Sequence, residues 1–570
     1  MTSIAAWWKS AVVYQIYPRS FADSNGDGVG DLGGVLRHLD HLQQLGVDVV
    51  WLSPVYRSPQ ADMGYDISDY QDIDPLFGTL DQLDALVAGL HERGMKLLMD
   101  LVVNHTSDEH PWFQAARSGR DDPKRDWYVW RDPRAGHQPG DERGAEPNNW
   151  GSFFSGSAWE LDAPSGQYYL HLFDVKQPDL NWENPEVRQA VYAMMRWWLD
   201  RGVDGFRMDV INFISKDQHF ADAPPVAGRR YVNAFEMIAD GPRMHEFLAE
   251  MTREVFRGRD GKFLTVGEMP GVTTDAAVLY TDPDRHEVDM VFQFEHVSVD
   301  HGATKWDYLG LDRVALKQSL HRWQLALAER GWNSLYWDNH DQPRAVSRFG
   351  DDDPHYWESS AKTLATILHG MRGTPYVYQG EELGMTNFPF TSPDQYQDVE
   401  AVNHWKDVVA QGLDQQSALR DMRAVARDNA RTPVQWDATP TAGFTTGTPW
   451  SPVNPNHTWL NAAEQVGRAD SVFAHHRELI RLRHAEPIFA DGDFAGLLEN
   501  DPELWAYTRS TEHQRMLVIA NCSRHERTVE LGDGWTGSRL LLGTAPGTDA
   551  ALTVDTMTLQ PWEARIYLLA

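Results

Sequence analysis

Eight short apolar runs, each ending in polar residues, recur along the chain and constrain its fold more than any other feature. They are the segments 12–21, 47–54, 95–105, 203–210, 263–268, 290–296, 334–341 and 374–382. Continuous apolar runs of this length are typical of strands that are buried on both faces of a parallel sheet. Helical patterns at 35–46, 80–94 and 185–202 lie between some of them, and each ends at a glycine. The alternation predicts an α/β fold, a (β/α)8 TIM barrel.

Two regions interrupt the alternation and predict additional domains. Residues 106–174 are rich in Trp, Gly, Asp and Pro without a clear helix, and residues 385–470 form a long loop-rich segment before a last helix. After about residue 488 the chain changes to short β-like runs. We therefore expect the barrel to comprise residues 1–105 and 175–487, with an inserted domain at 106–174 after strand 3. Residues 488–570 are expected to form a C-terminal antiparallel β-sandwich.

Composition limits the class of ligand. The 570 residues carry a formal net charge of −32, from 83 acidic and 51 basic side chains. Such a surface should repel nucleic acid and anionic membranes, so we expect a neutral or cationic substrate. One cysteine, Cys522, excludes an intrachain disulfide. No apolar run approaches the roughly 18 residues of a membrane span, and no signal-peptide pattern is visible, so a cytoplasmic monomer or homodimer is expected.

The stretch DSNGDGVGD at 23–31 is typical of a loop that binds a hard cation. An EF-hand sensor is excluded, because the twelfth loop position is Gly34 rather than Glu and the preceding segment is β-like. The alternative is a solvated turn rich in Asp and Gly. The predicted role is a structural site for Ca²⁺ or Mg²⁺, with oxygen ligands from Asp23, Asn25, Asp27, the Val29 carbonyl and Asp31.

Three carboxylates at the predicted strand ends indicate glycosidase chemistry. Asp209 follows Arg207 by two residues, and a cation at that distance is expected to keep the carboxylate ionised and nucleophilic. Glu268 is predicted to be the proton donor, on a neighbouring strand, at the spacing of about 5–5.5 Å that a retaining enzyme requires. Asp341 is predicted to bind sugar hydroxyls and to help distort the ring.

Two histidines at strand ends complete this set. His105 and His340 are placed to hydrogen-bond sugar hydroxyls as charge develops at the anomeric carbon. A single Asp or His of this kind is more often a structural ion pair or a core residue. Their occurrence on successive strand ends favours a catalytic site.

The same residues lie in motifs that resemble the α-amylase superfamily over nearly the whole chain. DLVVNH, GFRMD, GE and NHD are similar to its four conserved regions. The resemblance implies Asp209 as nucleophile, Glu268 as acid/base and Asp341 as transition-state stabiliser, with Arg207, His105 and His340 around the ring. It also implies the barrel, the insertion after strand 3 and the C-terminal β-domain.

Two further motifs narrow the branch to one that resembles oligo-1,6-glucosidases. They are QPDLN at 177–181 and DMGYDI at 62–67. The resemblance implies that Asp62 and Arg427 hold the far hydroxyls of a terminal glucose, with Arg431 as the alternative to Arg427, and that Tyr65 stacks on the ring. It implies a pocket one glucose deep, hence exo action, and a structural metal in the loop 23–31. The pocket is expected to be lined by Phe154, Phe173 and Gln177, although ordinary aromatic core is the alternative for the two phenylalanines.

The linkage is predicted from one side chain. Val210 follows the nucleophile, and in this branch Val at that position accompanies α-1,6 links whereas Thr, Ala or Gly accompanies α-1,4 links. Sucrose-handling relatives share NHDQPRAVS and ELGMTN, but the segment 309–318 departs from the RLDRD-type loop of sucrose isomerases. Sucrose hydrolysis, α-1,4 hydrolysis and transglycosylation stay open. A non-catalytic transporter subunit on the same barrel would have lost the carboxylates. We expect a retaining exo-α-glucosidase that favours isomaltose-type substrates.

Overall fold

Eight parallel strands form the central sheet of the computed structural model, which describes residues 6–141, 144–531, 534–545, 547–548, 550–552 and 556–569. The order β6-β5-β4-β3-β2-β1-β8-β7 is closed by a parallel bridge between Val291 and Asn333. The prediction of a (β/α)8 barrel is confirmed. The strands are β1 (Val13–Ile16), β2 (Val49–Leu52), β3 (Lys96–Val102), β4 (Gly205–Asp209), β5 (Leu264–Glu268), β6 (Met290–Phe292), β7 (Ser334–Leu335) and β8 (Thr374–Tyr378).

Burial explains why the strands are readable in the sequence. Every residue of β1, β2, β4, β5 and β8 is buried, because the barrel interior covers one face and the surrounding helices cover the other. The seventh run was predicted over 334–341, but only Ser334–Leu335 pairs as a strand. The residues that follow turn out of the barrel, and they include the polar segment 338–341.

The helix between β2 and β3 buries one apolar stripe. In Leu80–Glu92 the buried residues Leu83, Leu86, Val87 and Leu90 recur at helical spacing. The helix predicted at 35–46 is divided in two, since His38 leaves the helical region at φ −109° and ψ 14°. The α-helices are Leu32–Arg37, Leu39–Leu45, Leu80–Glu92, Pro111–Ser118, Pro185–Asp200, Phe235–Ile238, Met244–Val255, Thr274–Thr281, Arg313–Ala326, Ala345–Phe349, Trp357–His369, Val399–Gln411, Gln415–Val425, Ala462–Gln465, Val472–Ala485 and Ile488–Asp491.

The insertion after β3 is more ordered than the sequence pattern indicated. It contains the helix Pro111–Ser118, which begins at a proline after the capping residue His110. An antiparallel sheet follows, formed by Trp130–Arg131, Trp159–Asp162 and Gln167–Leu170. The expectation of a segment without a helix was therefore wrong for this short element, whose eight residues give little periodic signal.

The loop-rich segment 385–470 also contains helices that the pattern did not indicate. Val399–Gln411 and Gln415–Val425 each follow an aspartate whose side chain accepts from the first turn, Asp398 and Asp414. These helices stand beside the carboxyl ends of the barrel strands, so they help to shape the site described below.

The C-terminal strands form two antiparallel sheets, as predicted. A five-stranded sheet has the order β9-β10-β11-β15-β13, and β12 pairs with β14. The five-stranded sheet packs on the barrel helix Trp357–His369, where the Thr363 hydroxyl donates to the Trp562 carbonyl at 2.7 Å. The strands are β9 (Asp493–Leu497), β10 (Leu504–Ser510), β11 (Arg515–Asn521), β12 (Arg527–Glu530), β13 (Arg539–Gly543), β14 (Thr556–Leu559) and β15 (Ala564–Leu569).

Membrane insertion of a helix finds no support in this architecture. Within the described ranges, no helix combines the length and the apolar character that crossing a bilayer requires.

Candidate active site

One arginine collects three carboxylates at the carboxyl ends of β3, β4 and β5. Arg207 Nη1 lies 2.6 Å from Asp100 Oδ1 and 2.7 Å from Asp209 Oδ1, and its Nη2 lies 2.7 Å from Glu268 Oε1. The strand register produces this arrangement. Asp100 on β3 lies beside Arg207 on β4. Arg207 and Asp209 are two residues apart on the same strand, so their side chains lie on the same face. We call these four residues the Arg207 cluster. Asp209 and Glu268, predicted from separate motifs, are brought side by side.

The Arg207 cluster has fewer positive than negative groups. Burial raises the pKa of Asp100 to about 6, against the opposing effect of Arg207. Burial also raises the pKa of Asp209 well above its usual range, and the charges of Glu268 and Asp100 add to that effect. Arg207 lowers the pKa of Asp209, as expected, but burial and the two neighbouring carboxylates act in the opposite direction. Asp209 shares its guanidinium partner with two other acids, so its protonation depends on theirs.

The residue after the nucleophile strand orients the second acid. Val210 adopts the left-handed region at φ 34° and ψ 43°, which is strained for a β-branched residue. Its N–H donates to Glu268 Oε2 at 3.0 Å, while Arg207 binds the other carboxylate oxygen. The Val210 side chain is buried in an apolar cluster with Phe213. The strained turn thus connects the residue predicted to set linkage preference to the residue predicted to donate the proton.

A second group of charges faces the Arg207 cluster; it consists of Asp62, Asp341, Asp398, Arg427 and Arg431, and we call it the arginine clamp. Arg427 Nη1 lies 3.2 Å from Asp341 Oδ1, and its Nη2 lies 3.5 Å from Asp62 Oδ1. Arg431 Nη2 lies 2.7 Å from the same Asp341 oxygen, and its Nε donates to the His340 carbonyl at 2.9 Å. Asp398 binds both guanidinium groups. Arg427 bridges Asp62 and Asp341, so the geometry favours it over Arg431 for the predicted sugar contact.

The clamp shifts its carboxyl groups in opposite directions. Burial raises the pKa of Asp341, but the charges of Arg427 and Arg431 outweigh burial and hold this pKa well below its usual range. For Asp62, burial outweighs Arg427 and raises its pKa to about 7. Asp341 is therefore ionised at neutral pH, and Asp62 titrates close to it.

A chain of hydrogen bonds connects the two groups. Gln15 Nε2 donates to His340 Nδ1 at 2.8 Å, which leaves His340 Nε2–H to donate towards the Tyr65 hydroxyl at 2.6 Å. Tyr65 in turn donates to Asp100 Oδ2 at 3.1 Å. Burial lowers the pKa of His340 to about 3, so its ring is neutral. His340 therefore acts as a neutral donor beside Asp341, whose Oδ2 lies 3.4 Å from Nε2.

The remaining predicted polar residues lie on the other side of the clamp. Gln177 Nε2 donates to Asp62 Oδ2 at 3.0 Å and lies 3.2 Å from His105 Nε2. Burial lowers the pKa of His105 to about 4. Both side chains are fully buried, so they hold Asp62 in place from behind the pocket.

The predicted aromatic residues form one wall. The Phe173 ring lies 5.2 Å from the His105 ring and 5.7 Å from Phe154, and the Arg427 guanidinium lies 5.2 Å from the centre of Phe154. Phe153 continues the wall outward, at 5.3 Å from Phe173. The two predicted phenylalanines thus contact the site rather than only the hydrophobic core.

Several residues of the site escaped sequence reasoning. They are Gln15, Phe153, Asp398 and Glu400. Asp398 has the clearest local role, since it caps the helix Val399–Gln411, but an N-cap gives no indication that the side chain also binds two arginines. Asp100 was visible as a strand-end acid in DLVVNH, and only the register shows that it binds Arg207.

The predicted metal loop is organised by its own backbone. Asp23 accepts from the N–H groups of Asn25, Gly26 and Gly28 and from the Thr445 hydroxyl. These hydrogen bonds hold the pKa of Asp23 below its usual value, although burial opposes them.

The remaining members of the loop follow the same pattern. Asn25 accepts from Asp27 N–H, Asp27 accepts from Val29 N–H, and Asp31 accepts from Ser24 and caps the helix that follows. In the described part of the chain, no group of three or more His, Cys, Asp or Glu side chains is arranged as a metal cluster. The donor set consists of carboxylate, amide and carbonyl oxygens, which fits Ca²⁺ or Mg²⁺.

The fold is a closed TIM barrel. At its strand ends, one arginine binds two buried carboxylates, and a third acid lies opposite them. This combination is typical of glycosidases with a barrel fold. The profile described as alpha amylase, catalytic domain, matches residues 15–492, and one described as Alpha-amylase SusG C-terminal domain matches residues 504–566. The chain belongs to the α-amylase family of glycoside hydrolases.

Relatives of known name agree with this membership. The oligo-1,6-glucosidase of Parageobacillus thermoglucosidasius is 53% identical over 565 residues, covering 98% of each chain. The trehalose-6-phosphate hydrolase of Bacillus subtilis is 49% identical, covering 100% of this chain and 99% of its own. Among solved structures, the isomaltulose synthase of Erwinia rhapontici NX5 has a TM-score of 0.94 at 41% identity, with 100% of both chains covered.

Proposed function

We propose that the protein is a retaining exo-α-glucosidase that removes the terminal non-reducing glucosyl residue from short oligosaccharides, with α-1,6 links favoured. One observation carries the proposal: Arg207 joins Asp209 and Glu268 side by side, opposite the ionised Asp341. Such close pairing favours the separation of about 5–5.5 Å of retaining enzymes over the wider spacing of inverting ones. The name oligo-1,6-glucosidase recurs among relatives about half identical over the full chain.

We propose that the reaction proceeds in two chemical steps. With Glu268 in the role of the acid, Asp209 attacks the anomeric carbon as a carboxylate. The glycosidic C–O bond breaks as Glu268 transfers its proton to the leaving oxygen, and a covalent glucosyl ester forms on Asp209. Glu268 then takes a proton from water, which attacks the same carbon and releases glucose with retained configuration. Transglycosylation follows the same route when a sugar hydroxyl replaces water.

The arginine clamp supports exo action. Arg427 and Asp62 meet across the inner end of the site, and Gln177 and His105 lie behind Asp62. A chain that continued past the terminal glucose would have to break these contacts. The ionised Asp341 would bind hydroxyls as positive charge develops on the ring, while His340 holds the Tyr65 hydroxyl beside it.

The loop after β6 supports hydrolysis over sucrose isomerisation. Asp312 caps the helix Arg313–Ala326, and the Arg313 guanidinium lies 5.3 Å from the ring of Trp562 in the C-terminal region. In this segment Asp312 therefore serves as a helix cap, and Arg313 contacts the C-terminal region.

The test is glucose release from isomaltose, maltose, sucrose and trehalose 6-phosphate at equal concentration. We expect isomaltose to lead, and Val210→Thr to shift the preference towards maltose while Val210→Ile does not. If maltose, sucrose or the phosphorylated disaccharide leads in the unchanged protein, the linkage assignment fails although the mechanism stands. If Asp209→Asn keeps full activity, the active site is misplaced.

Two minor proposals accompany this function. We propose that the loop 23–31 binds one structural Ca²⁺ or Mg²⁺, supported by its all-oxygen donor set. We also propose a cytoplasmic monomer or homodimer, supported by a single cysteine that is buried and free. Light scattering distinguishes the two oligomeric states.

A further inference from the structure

Gln15 is a fully buried amide near the carboxyl end of β1, and it begins the chain of hydrogen bonds that leads to the Arg207 cluster. Its Nε2 lies 3.2 Å from Ser53 Oγ and 2.8 Å from His340 Nδ1. An amide nitrogen donates and does not accept, so both of its hydrogens are used and Nδ1 is the acceptor. A side chain on another strand therefore decides which ring nitrogen of His340 carries the hydrogen.

The surroundings of His340 leave its ring with a single hydrogen. Burial and the charges of three arginines lower the pKa of His340, whereas Asp341 raises it. The titratable and charged groups that face the ring are Tyr17, Tyr65, Arg207, Asp341, Arg427 and Arg431. Because the neutral ring has only one N–H group, fixing its hydrogen on Nε2 sets the direction of the whole chain.

The direction of the chain decides how Asp100 is bound. The Tyr65 hydroxyl accepts from His340 Nε2 at 2.6 Å, so its own hydrogen is free to go to Asp100 Oδ2 at 3.1 Å. Trp51 Nε1 donates to the same oxygen at 3.0 Å, and Arg207 Nη1 donates to Oδ1 at 2.6 Å. In the opposite tautomer, Tyr65 would donate to Nε2, and Asp100 would lose one of these three donors.

The charge of Asp100 acts on the reacting acids. Burial raises the pKa of Asp100 to about 6, and hydrogen bonds to its carboxylate oppose this rise. As a carboxylate, Asp100 raises the pKa of the neighbouring Asp209 and so favours a bound proton in the Arg207 cluster. Without the Tyr65 hydrogen bond, Asp100 would take up a proton more readily. The cluster would then lose part of the negative charge that retains the transferable proton.

We propose that Gln15 is a positioning residue that fixes His340 as the Nε2–H tautomer, directs the Tyr65 hydroxyl to Asp100 and thereby keeps Asp100 ionised for the proton transfer. This inference rests on the proposed function. Gln15 acts through two other side chains rather than by touching the sugar. The alternative is that Gln15 only fills space on β1, in which case a side chain of the same size serves equally well.

The experiment measures kcat/KM for isomaltose against pH in four proteins: the unchanged chain, Gln15→Glu, Tyr65→Phe and the double variant. Glu has nearly the size of Gln, but its carboxylate accepts from Nδ1–H and reverses the chain. In Gln15→Glu we expect the decrease of kcat/KM on the alkaline side to begin about 1–2 pH units lower, the scale of one lost hydrogen bond to a charged group. Tyr65→Phe interrupts the chain before Asp100, so adding Gln15→Glu to it should not shift the profile further.

A neutral variant keeps the test valid if Gln15→Glu folds poorly. Gln15→Met removes the donor without adding charge, and by itself it should lower kcat/KM at neutral pH by about 10-fold. In the Tyr65→Phe background it should have no further effect, because the two residues belong to one chain.

Three kinetic results would overturn the inference. They are an unshifted alkaline decrease in Gln15→Glu, the same shift with and without Tyr65→Phe, and additive losses from Gln15→Met and Tyr65→Phe. The tautomer can also be measured without any activity, from proton–nitrogen NMR correlations of protein labelled at its histidine nitrogens, with His340→Asn to assign the signal. An Nδ1–H tautomer in the unchanged protein would refute the role of Gln15. Absence of glucose release by the unchanged protein would instead refute the proposed function, and the tautomer measurement would then decide about Gln15 alone.

Discussion

The Arg207 cluster and the arginine clamp are both built from arginines and carboxylates, but they shift the pKa of Asp209 and of Asp341 in opposite directions. In the first, a single guanidinium serves three buried carboxylates, and the pKa of Asp209 is raised. In the second, two guanidinium groups serve Asp341, and its pKa is lowered. Burial raises the pKa of acids in both groups; the neighbouring guanidinium charges outweigh it at Asp341, whereas at Asp62 they do not.

This difference fits the work that each group has to do. A retaining glycosidase needs a proton that can pass to the leaving oxygen, and it needs fixed negative charge beside the developing oxocarbenium ion. Excess negative charge in the Arg207 cluster favours a bound proton, and the two arginines of the clamp keep Asp341 ionised. The chain of hydrogen bonds through His340 and Tyr65 holds the two groups at a fixed separation.

The largest expected effect is at the Arg207 cluster. Asp209→Asn removes the nucleophile, and kcat on isomaltose should fall by about 10⁴-fold or more. Glu268→Gln should be nearly as damaging on isomaltose but much less so on 4-nitrophenyl α-glucoside, whose leaving group needs little protonation. Steady-state kinetics on both substrates measure the contrast. Equal losses of Glu268→Gln on the two substrates would refute the acid role.

At the clamp, Arg427→Ala should lower kcat/KM by about 10- to 100-fold, the scale of a lost hydrogen bond to a charged group. Arg427→Lys is not expected to restore kcat/KM, because an ammonium group cannot bridge Asp62 and Asp341 as the planar guanidinium does.

The matched variant is Arg431→Ala, which removes the clamp residue that does not reach Asp62. It should reduce the free energy of unfolding by about 3–5 kcal/mol, since the buried Asp398 and the half-buried Asp341 each lose a partner. Denaturant titration measures this change. If the two variants have the same kinetic and stability effects, the separation of roles between Arg427 and Arg431 is wrong.

The pH dependence of sugar binding gives a smaller effect. Because the pKa of Asp62 is about 7, this group is protonated as pH falls through that value and loses charge opposite Arg427. kcat/KM should therefore fall on the acid side of neutrality. In Asp62→Asn, kcat/KM should be lower at every pH, and its decrease on the acid side of neutrality should disappear. Persistence of the limb in this variant would assign it to another group, such as Asp100.

The smallest expected effect is at the loop 23–31, where backbone N–H groups rather than arginines stabilise the carboxylates. Asp23 and its neighbours are balanced by N–H groups, and we propose a divalent cation in addition. A cation at 100 times its Kd would add about 2.7 kcal/mol of stability, so EDTA should lower Tm by a few degrees. Asp27→Ala should remove this response while kcat stays the same. An unchanged Tm in the original protein would favour the solvated turn.

The sequence was most informative where local pattern and burial coincide. The barrel strands could be predicted because each lies buried on both faces, which requires a continuous apolar run. The C-terminal sheets were readable for a related reason, since their strands are short and separated by turns. The helices Pro111–Ser118 and Val399–Gln411 could not be predicted from periodicity, because they lie in loop regions and are set by capping residues and tertiary contacts.

For the site, the sequence by itself determined which residue types stand at the strand ends: Asp209, Glu268 and Asp341 lie in motifs whose spacing fixes them there. Only the tertiary structure decided their charges. Asp100, Asp398 and Gln15 come from distant segments, and they change the balance around Arg207, Arg427 and His340. The physical reason is that a pKa depends on every charge and hydrogen bond within a few ångströms, and those neighbours are set by the closure of the barrel.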